Sequence, residues 1–537
     1  MQARKAKATA KAKIAIPLSM RTVTYHVSRV GLLLFGVLCI LLSLKLSTYR
    51  FGASDFSEMI DSGWRIVSGQ VPGRDFVCTF PPSFYLFIAT MYRHFGVTWH
   101  SLALGEALFF AVLCLLGWRL TGLLRSVLGT TDTFFVFLFY FVGQMIPLIS
   151  INMPWHASIA QSIACYTTLT TFVLLKRENP STLLRVELFL HLTLGLTGLI
   201  LSKPNTAYPP ILLCLVLLMM ARTPKWLVWG SLAASLVAAS AVLSTAHISL
   251  LGMLDGYRGL SGRLVPHPLV YGILLNRPGV PAIIGLANLC VYAMIAPVLT
   301  LFGLTYWRER HDLLKRPLDL LALGACATGI LGMATNFDLK LTDTPLVLLG
   351  IALFSVTGAS RALLIRRRLI WMTLPLVYFC FLTGTTRQRG QTIGLWANED
   401  CGARITLHDP FFGTFHNCAV FGSVMQEADR TLASGPANQR VFFGPDLEFM
   451  YARNHIVSPL HLPLWWHPGT SYPLGHLAEI NRAWDEDRFD TVIFVHDLRA
   501  NTPQAIQDEL QDKYVQVPGT ELIDVYKPRA SQPPAGQ

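Results

Sequence analysis

The sequence predicts a polytopic α-helical membrane protein, with about eleven transmembrane helices, that ends in a small extracytoplasmic α/β domain. Three observations lead there. Of the 537 residues, 52% are hydrophobic and only 14% are charged, against about 25% charged in an ordinary soluble protein. About eleven apolar segments approach the roughly 20 residues that cross a hydrocarbon core ~30 Å thick. The charge is also divided. Residues 1–386 carry 32 Lys and Arg against 14 Asp and Glu, a balance of +18, whereas residues 387–537 carry 12 against 18, a balance of −6. The formal net charge of +12 therefore belongs to the apolar part, and no nucleic-acid partner is expected. No repeat or biased composition points to collagen, coiled coil or a disordered chain.

The first element is a basic tail. Residues 1–29 hold Arg4, Lys5, Lys7, Lys11, Lys13, Arg21 and Arg29 without an acid, ahead of an apolar run from Val30 to about Leu46. A secretory signal has an apolar core of roughly 7–15 residues. This run is longer and further spans follow it, so it reads as an uncleaved anchor with its basic end in the cytoplasm. Further segments centre near 101–121, 133–150, 157–175, 186–202, 208–221, 226–246, 283–305, 318–335, 345–360 and 369–385. Alternation then puts Arg125, the group Lys176, Arg177 and Arg185, the pair Arg222 and Lys225, Arg308 to Arg316, and Arg361 to Arg368 on the cytoplasmic side. These are the densest basic clusters in the body, as the positive-inside rule requires. The expected organisation is a tail over 1–29, a transmembrane body over 30–386 and an outer domain over 387–537. The location is the plasma (inner) membrane, with the C-terminal domain extracytoplasmic.

Two outward segments, 47–100 and 247–282, are too long for simple turns, and long ordered connections usually carry function. In the first, Ser54 or Asp55 is a candidate N-cap. Phe56, Met59, Ile60, Gly63, Trp64 and Val67 follow at helical spacing, which predicts a short amphipathic helix lying at the membrane interface. Gly69 suits its end and Pro72 a turn. Pro81-Pro82 then opens a second helix carrying Tyr85, Ile88, Met91 and Tyr92.

Asp55, Gly69-x-x-Pro72, Arg74-Asp75-Phe76, Pro81-Pro82 and Tyr85, in this order and spacing, resemble the first outer loop of the GT-C glycosyltransferases. These are membrane enzymes that take a sugar from a polyprenyl-phosphate carrier, and the likeness is to the bacterial relatives of the protein O-mannosyltransferases and the lipid A aminoarabinose transferase. Gly73 stands where an aromatic residue is usual, and Cys78-Thr79 where the family is often more acidic. The resemblance implies that Asp55 is the catalytic base, with Asp75 a second acidic candidate, and that Tyr85 of the Pro-Pro helix contacts substrate. Without it, Asp55 reads as a helix cap and Asp75 as a partner of Arg74 or Arg65. Asp61, six residues beyond Asp55, is off the one-turn spacing.

The chemistry can be argued separately. Moving a sugar from a lipid phosphate to a hydroxyl needs a base for the hydroxyl and positive charge for the departing phosphate. Lys203, in Leu201-Ser202-Lys203-Pro204, stands at the outer end of a span. The resemblance implies a phosphate contact for it, and a snorkelling residue is the plain alternative. Arg258 and Arg263, among glycines in the second outer loop, offer guanidinium forks for phosphate oxygens, with Arg74 a further candidate. They equally suit a headgroup-facing loop. Asn336 to Lys340 with Asp343 form a polar outer turn. Glu106, inside the second span, faces either the reaction cavity or a structural hydrogen bond, and His191 reads as a core residue.

In the C-terminal domain, 440–445, 491–496 and 521–526 read as strands, with helices over 478–485 and 503–513 and a disordered Ser/Pro/Gly tail. Cys401 and Cys418 are candidates for a disulfide in an oxidising compartment. The seven cysteines in the spans read as small apolar fillers. Trp465 and Trp466 offer either aromatic faces to a sugar or a packed loop. His455, His461, His467 and His476 are too irregularly spaced to predict zinc, so no metal or cofactor is expected beyond the polyprenyl-phosphate sugar itself. The function that follows is an inverting transferase moving a monosaccharide from the lipid carrier to a hydroxyl acceptor on the extracytoplasmic face. A ligase or polymerase of the O-antigen type, and a polytopic transporter, are the rival readings. A transporter would place polar groups at midplane on paired broken helices, whereas most ionisable residues here lie near span ends.

Overall fold

The computed structural model describes residues 18–49, 51, 53–77, 81–150, 156–177, 180–221, 223–248, 300, 316–335, 344–357, 404–466, 474–496, 502–518 and 521–529. The helical part comprises α1 (Leu18–Ser47), α2 (Ala53–Val67), α3 (Pro82–Phe95), α4 (Trp99–Leu128), α5 (Thr130–Ser150) and α6 (His156–Lys176). It continues with α7 (Thr182–Ile200), α8 (Pro204–Met220), α9 (Lys225–Thr245), α10 (Pro317–Thr335) and α11 (Pro345–Val356). Six of these, α1, α4, α5, α6, α7 and α9, are long and apolar enough to cross a membrane, while α8, α10 and α11 hold shorter apolar helices. The expected spans at 283–305, but for residue 300, and at 369–385 lie outside the described residues. The chain is a multi-pass helical membrane protein with a C-terminal mixed α/β region.

Helices α1 and α4 run antiparallel, and their two ends differ. At one end Arg125 Nη1 stands 3.0 Å from His26 Nε2, and Arg29 lies 4.0 Å over the Trp118 ring and donates to the Trp118 carbonyl. Arg177, which donates to the Leu123 carbonyl, and the Arg119–Glu187 pair at 2.5 Å belong to the same end of α4. At the other end Trp99 Nε1 donates to the Ser47 carbonyl at 2.8 Å. This second end carries α2, α3 and the C-terminal region, so Arg29, Arg125 and Arg177 and the long first loop sit at opposite poles of the bundle.

The loop helices pack closely. Gly63 of α2 lies where α3 crosses it, and a Cβ there would stand 2.3 Å from Ile88 Cγ2. The sequence reading needs two corrections here. Helix α2 begins at Ala53, so Ser54 and Asp55 fall within its first turn rather than capping it; a carboxylate is favoured in either place by the helix dipole. Nor does α2 lie open on an interface. Phe56, Met59, Ile60 and Trp64 are buried on one side, and Ser57, Glu58, Asp61, Ser62 and Arg65 are buried as well. An amphipathic pattern finds a polar partner instead of water, because the C-terminal region covers the polar face.

That region opens with a hairpin of β1 (Arg404–Asp409) and β2 (Gly413–Cys418), paired antiparallel from Arg404↔Cys418 to Asp409↔Gly413. Helix α12 (Ala419–Ala433), β3 (Val441–Phe443) and the single turn and a half of α13 (Phe449–Arg453) follow. The rest is α14 (Leu477–Asp487), β4 (Thr491–Val495), α15 (Gln504–Lys513), β5 (Tyr514–Gln516) and β6 (Ile523–Pro528). The sheet order is β3-β4-β6-β5, with β3 and β4 parallel and the other pairs antiparallel. Alternation along the strands decides what each face meets. Phe443, Ile493, Val495, Ile523 and Val525 join the loop core of Phe51, Phe56 and Trp99. Phe442, Val492 and Phe494 pack instead with Trp466, Trp484 and Leu510. Trp466 is therefore a core residue, 5.4 Å from Phe442. Cys418 is disulfide-bonded; Cys401 lies outside the described residues.

Candidate active site

The first loop is stitched to the C-terminal region along α2. Ser57 Oγ donates to Glu448 Oε2 at 2.8 Å and accepts the Phe449 N–H at 2.9 Å. One turn on, Asp61 takes a hydrogen bond from Arg65 Nε at 2.7 Å and another from Ser458 Oγ at 2.5 Å. Arg65 Nη1 donates to the Pro459 carbonyl, Trp64 Nε1 to that of Ile456 and Gln70 Nε2 to that of Ser458. Asp61 and Arg65 are at most 1% exposed. Burial pushes the Asp61 carboxyl above the usual carboxylate range, against the pull of Arg65 and Ser458. Asp61 is thus the anchor of this junction, a partner for Arg65 that its sequence spacing (i, i+4) makes natural.

Beyond α2 the chain turns at Gly69, whose φ of +94° is a left-handed conformation open to glycine. The Arg-Asp-Phe triplet follows on a tight turn. Asp75 holds Arg74 through both carboxylate oxygens at 2.7 Å and accepts the Val71 N–H at 2.7 Å. Arg74 first, then that backbone hydrogen bond, keeps the Asp75 carboxyl below its usual range despite partial burial. The Asp75 carbonyl accepts the His461 N–H at 2.5 Å, and Phe76 lies 5.4 Å under the Arg65 guanidinium. Tyr85 is fully buried, with its ring 6.2 Å from that of Phe76. Of the two pairings open to Asp75 in the sequence, the one with Arg74 is present.

Helix α3 carries this loop to Lys203. The chain breaks after Ile200, Lys203 takes an extended conformation with φ −58° and ψ 120°, and Pro204 starts α8. The break leaves the Leu201 carbonyl without a helical donor, and Ser83 Oγ, from the first turn of α3, donates to it at 2.5 Å. Val71 packs with Leu201, Leu243 and Ile248 just below. Lys203 Nζ stands 3.3 Å from His156 Nε2, at the start of α6, and the His156 ring is 5.8 Å from Phe84. His156 was missed as a candidate, although its place at the head of a span was visible in the sequence.

Thus Arg74, Asp75, Tyr85 and Lys203 belong to one continuous loop-and-corner assembly. The side chain of Asp55 lies outside the described residues, as do Arg258, Arg263, and the turn from Asn336 to Asp343. Glu106 and His191 are buried in their spans, and His191 Nδ1 is 2.6 Å from the Tyr166 hydroxyl. Among the described residues no group of three His, Cys, Asp or Glu side chains is placed to hold a metal ion.

No family model matches the chain, and no curated protein does. Among solved structures it is similar to ArnT from Cupriavidus metallidurans bound to undecaprenyl phosphate, at a TM-score of 0.48 and 12% identity, covering 94% of this chain and 98% of that one. A likeness of this size assigns no residue and no reaction.

Proposed function

We propose that the protein is an inverting glycosyltransferase of the GT-C type that moves a monosaccharide from a polyprenyl-phosphate carrier to a hydroxyl acceptor on the extracytoplasmic face. The observation that carries the reading is the loop-and-corner assembly. The ordered residues Gly69, Pro72, Arg74-Asp75-Phe76, Pro82 and Tyr85 form one packed unit, joined through Ser83 to the Leu201–Lys203 corner. A lysine at a helix break, held at a membrane boundary, is suited to a lipid phosphate.

In this mechanism Asp55 takes the proton of the acceptor hydroxyl. The acceptor oxygen attacks the anomeric carbon from the face opposite the carrier, its bond to that carbon forms, and the bond to the phosphate oxygen breaks. The phosphate leaves with the electron pair, and Lys203 meets its developing charge beside His156. Arg74, Arg258 and Arg263 are the further cations of the site. Asp75 fixes the Arg74 turn and is the second candidate base.

The organisation that goes with this reading has residues 1–29 in the cytoplasm, eleven spans within 30–386, the loop 47–100 outside, and 387–537 as an extracytoplasmic domain of the plasma membrane. Two features support it. Basic residues crowd the pole opposite the loop, and Cys418 is disulfide-bonded, as suits an oxidising compartment.

The test is transfer in proteoliposomes supplied with an undecaprenyl-phosphate sugar. Asp55→Asn is expected to lower turnover about 10²–10⁴-fold, and Lys203→Met by ~10² or more, in folded protein. Near-normal transfer by Asp55→Asn removes the assignment of the base.

A further inference from the structure

The β1–β2 hairpin rests on the loop-side ends of α1 and α4. The His416 N–H donates to the Thr48 carbonyl at 2.8 Å, and the Trp99 N–H to the Phe411 carbonyl at 3.0 Å. Between the three elements opens a crevice of about 380 Å³, whose polar lining is Lys45, Thr48, Thr98, His100, Thr414 and His416. Among the described residues that lining holds one ammonium, two imidazoles and three hydroxyls, and no carboxylate. The hairpin's own acid, Asp409, is engaged elsewhere: it accepts the Phe411 and Phe412 N–H groups and pairs with Arg453 at 2.8 Å.

The donors are held in place. The His416 ring stacks on Tyr49 with centroids 4.5 Å apart, and Lys45 Nζ lies 5.6 Å over the same Tyr49 ring. Thr406 Oγ1 stands 3.0 Å from His416 Nδ1; when that hydroxyl donates, Nε2 carries the proton and is a donor. Gly413, at φ +70°, brings the hairpin turn against His100, where a Cβ would stand 3.0 Å from Cε1.

The helices below supply the second half of a site. Leu34, Leu38 and Leu41 of α1 are exposed, and at spacings of four, three and four they lead up to Lys45 along one face. Leu108, Val112 and Leu115 of α4 are likewise exposed, and at spacings of four and three they line one face of that helix. An apolar stripe in the bilayer ending at a cation in a polar crevice matches a lipid, with its chains on the leucines and its phosphate among the donors.

We propose that the crevice between the hairpin and the ends of α1 and α4 binds the phosphate of an anionic membrane lipid. None of its residues belongs to the Arg74, Asp75, Tyr85 and Lys203 assembly, and the proposal stands whether or not the transferase reading holds.

Thermal unfolding of the purified full-length protein in detergent tests it, with dioctanoyl phosphatidic acid, dioctanoyl phosphatidylcholine and sodium phosphate as separate titrants. Phosphatidic acid is expected to raise the midpoint saturably, and the half-saturating concentration to rise about tenfold in Lys45→Met. His416→Phe, which keeps the stack on Tyr49, and His100→Gln, at an exposed position, give the same weakening and serve should Lys45→Met misfold. Phosphatidylcholine and inorganic phosphate give no saturable shift over the same range. Equal half-saturation in wild type and all three variants overturns the site, and an equal shift from inorganic phosphate overturns the lipid as its ligand.

Discussion

Two aspartates of one loop, fourteen residues apart, each hold an arginine and do so under opposite conditions. Asp61 and Arg65 are sealed between α2 and the C-terminal region, with Ser458 and the Pro459 carbonyl completing their hydrogen bonds. Asp75 and Arg74 meet at the loop tip, where Arg74 is 66% exposed. Interior charge is tolerated only when it is paired and hydrogen-bonded, and it then fixes geometry more than it adds stability. At the tip, water screens the pair and leaves the guanidinium accessible. The loop is thus sealed where it joins the domain and open in charge at its tip.

The largest expected effect comes from breaking the sealed pair. Arg65→Met leaves the Asp61 carboxylate buried without its cation and removes the donor to Pro459, at a cost of about 3–5 kcal/mol. Fluorescence-monitored unfolding in detergent should show a clearly lowered midpoint, with release of the C-terminal region detectable as protease sensitivity near 454–460. Asp61→Asn, which removes the charge and keeps the shape, should lose less.

The bundle and the domain were legible in the sequence to different degrees. Runs of apolar residues betray spans because a bilayer demands them, and α1, α4, α5, α6, α7 and α9 fall where hydropathy puts them. The strands Val441–Phe443 and Thr491–Val495 were legible for a similar reason, as short apolar runs buried on both faces, and Ile523–Pro528 by its buried Ile523, Val525 and Tyr526. The β1–β2 hairpin was not: Arg404-Ile405-Thr406-Leu407-His408 does alternate polar and apolar residues, but the run is short and its partner strand, Gly413–Cys418, is largely polar. Within the candidate site, the order of the first-loop motif and Lys203 could be read directly. The partners of Ser57, Asp61 and Arg65 could not, because they lie some 390 positions away in sequence and no local pattern announces them. Covering by a distant domain is what turned an expected interfacial helix into a buried one.

A middle-sized effect tests the sealed side through pH. Burial, reinforced by the nearby Asp446, holds the Glu448 carboxyl well above the ordinary range, with the Ser57 hydrogen bond pulling the other way. The folded protein therefore binds this proton more tightly than the unfolded chain, and stability contributed by the protonated form falls as pH rises from the ordinary glutamate value of about 4.5 toward the raised one. Glu448→Gln, which stays neutral, should flatten that decline. The measurement is the wild-type midpoint minus the variant midpoint across pH 4–8, and a difference that does not become more negative with rising pH contradicts the assignment.

The smallest structural effect belongs to the tip. Arg74→Gln removes an ion pair that solvent already screens, so unfolding should shift by less than about 1 kcal/mol, with the Asp75 to Val71 hydrogen bond left to hold the turn. On the proposed transferase reading its effect should appear in transfer instead, as a raised KM for the lipid-phosphate donor, since an exposed guanidinium is free to meet a phosphate before and during its departure. The two readouts separate the halves of the loop: Arg65→Met should unfold the junction, Arg74→Gln should weaken donor use in a protein that melts normally. If Arg74→Gln instead lowers the midpoint as far as Arg65→Met does, the tip is as structural as the junction, and the split between a sealed pair and an open one does not describe this loop.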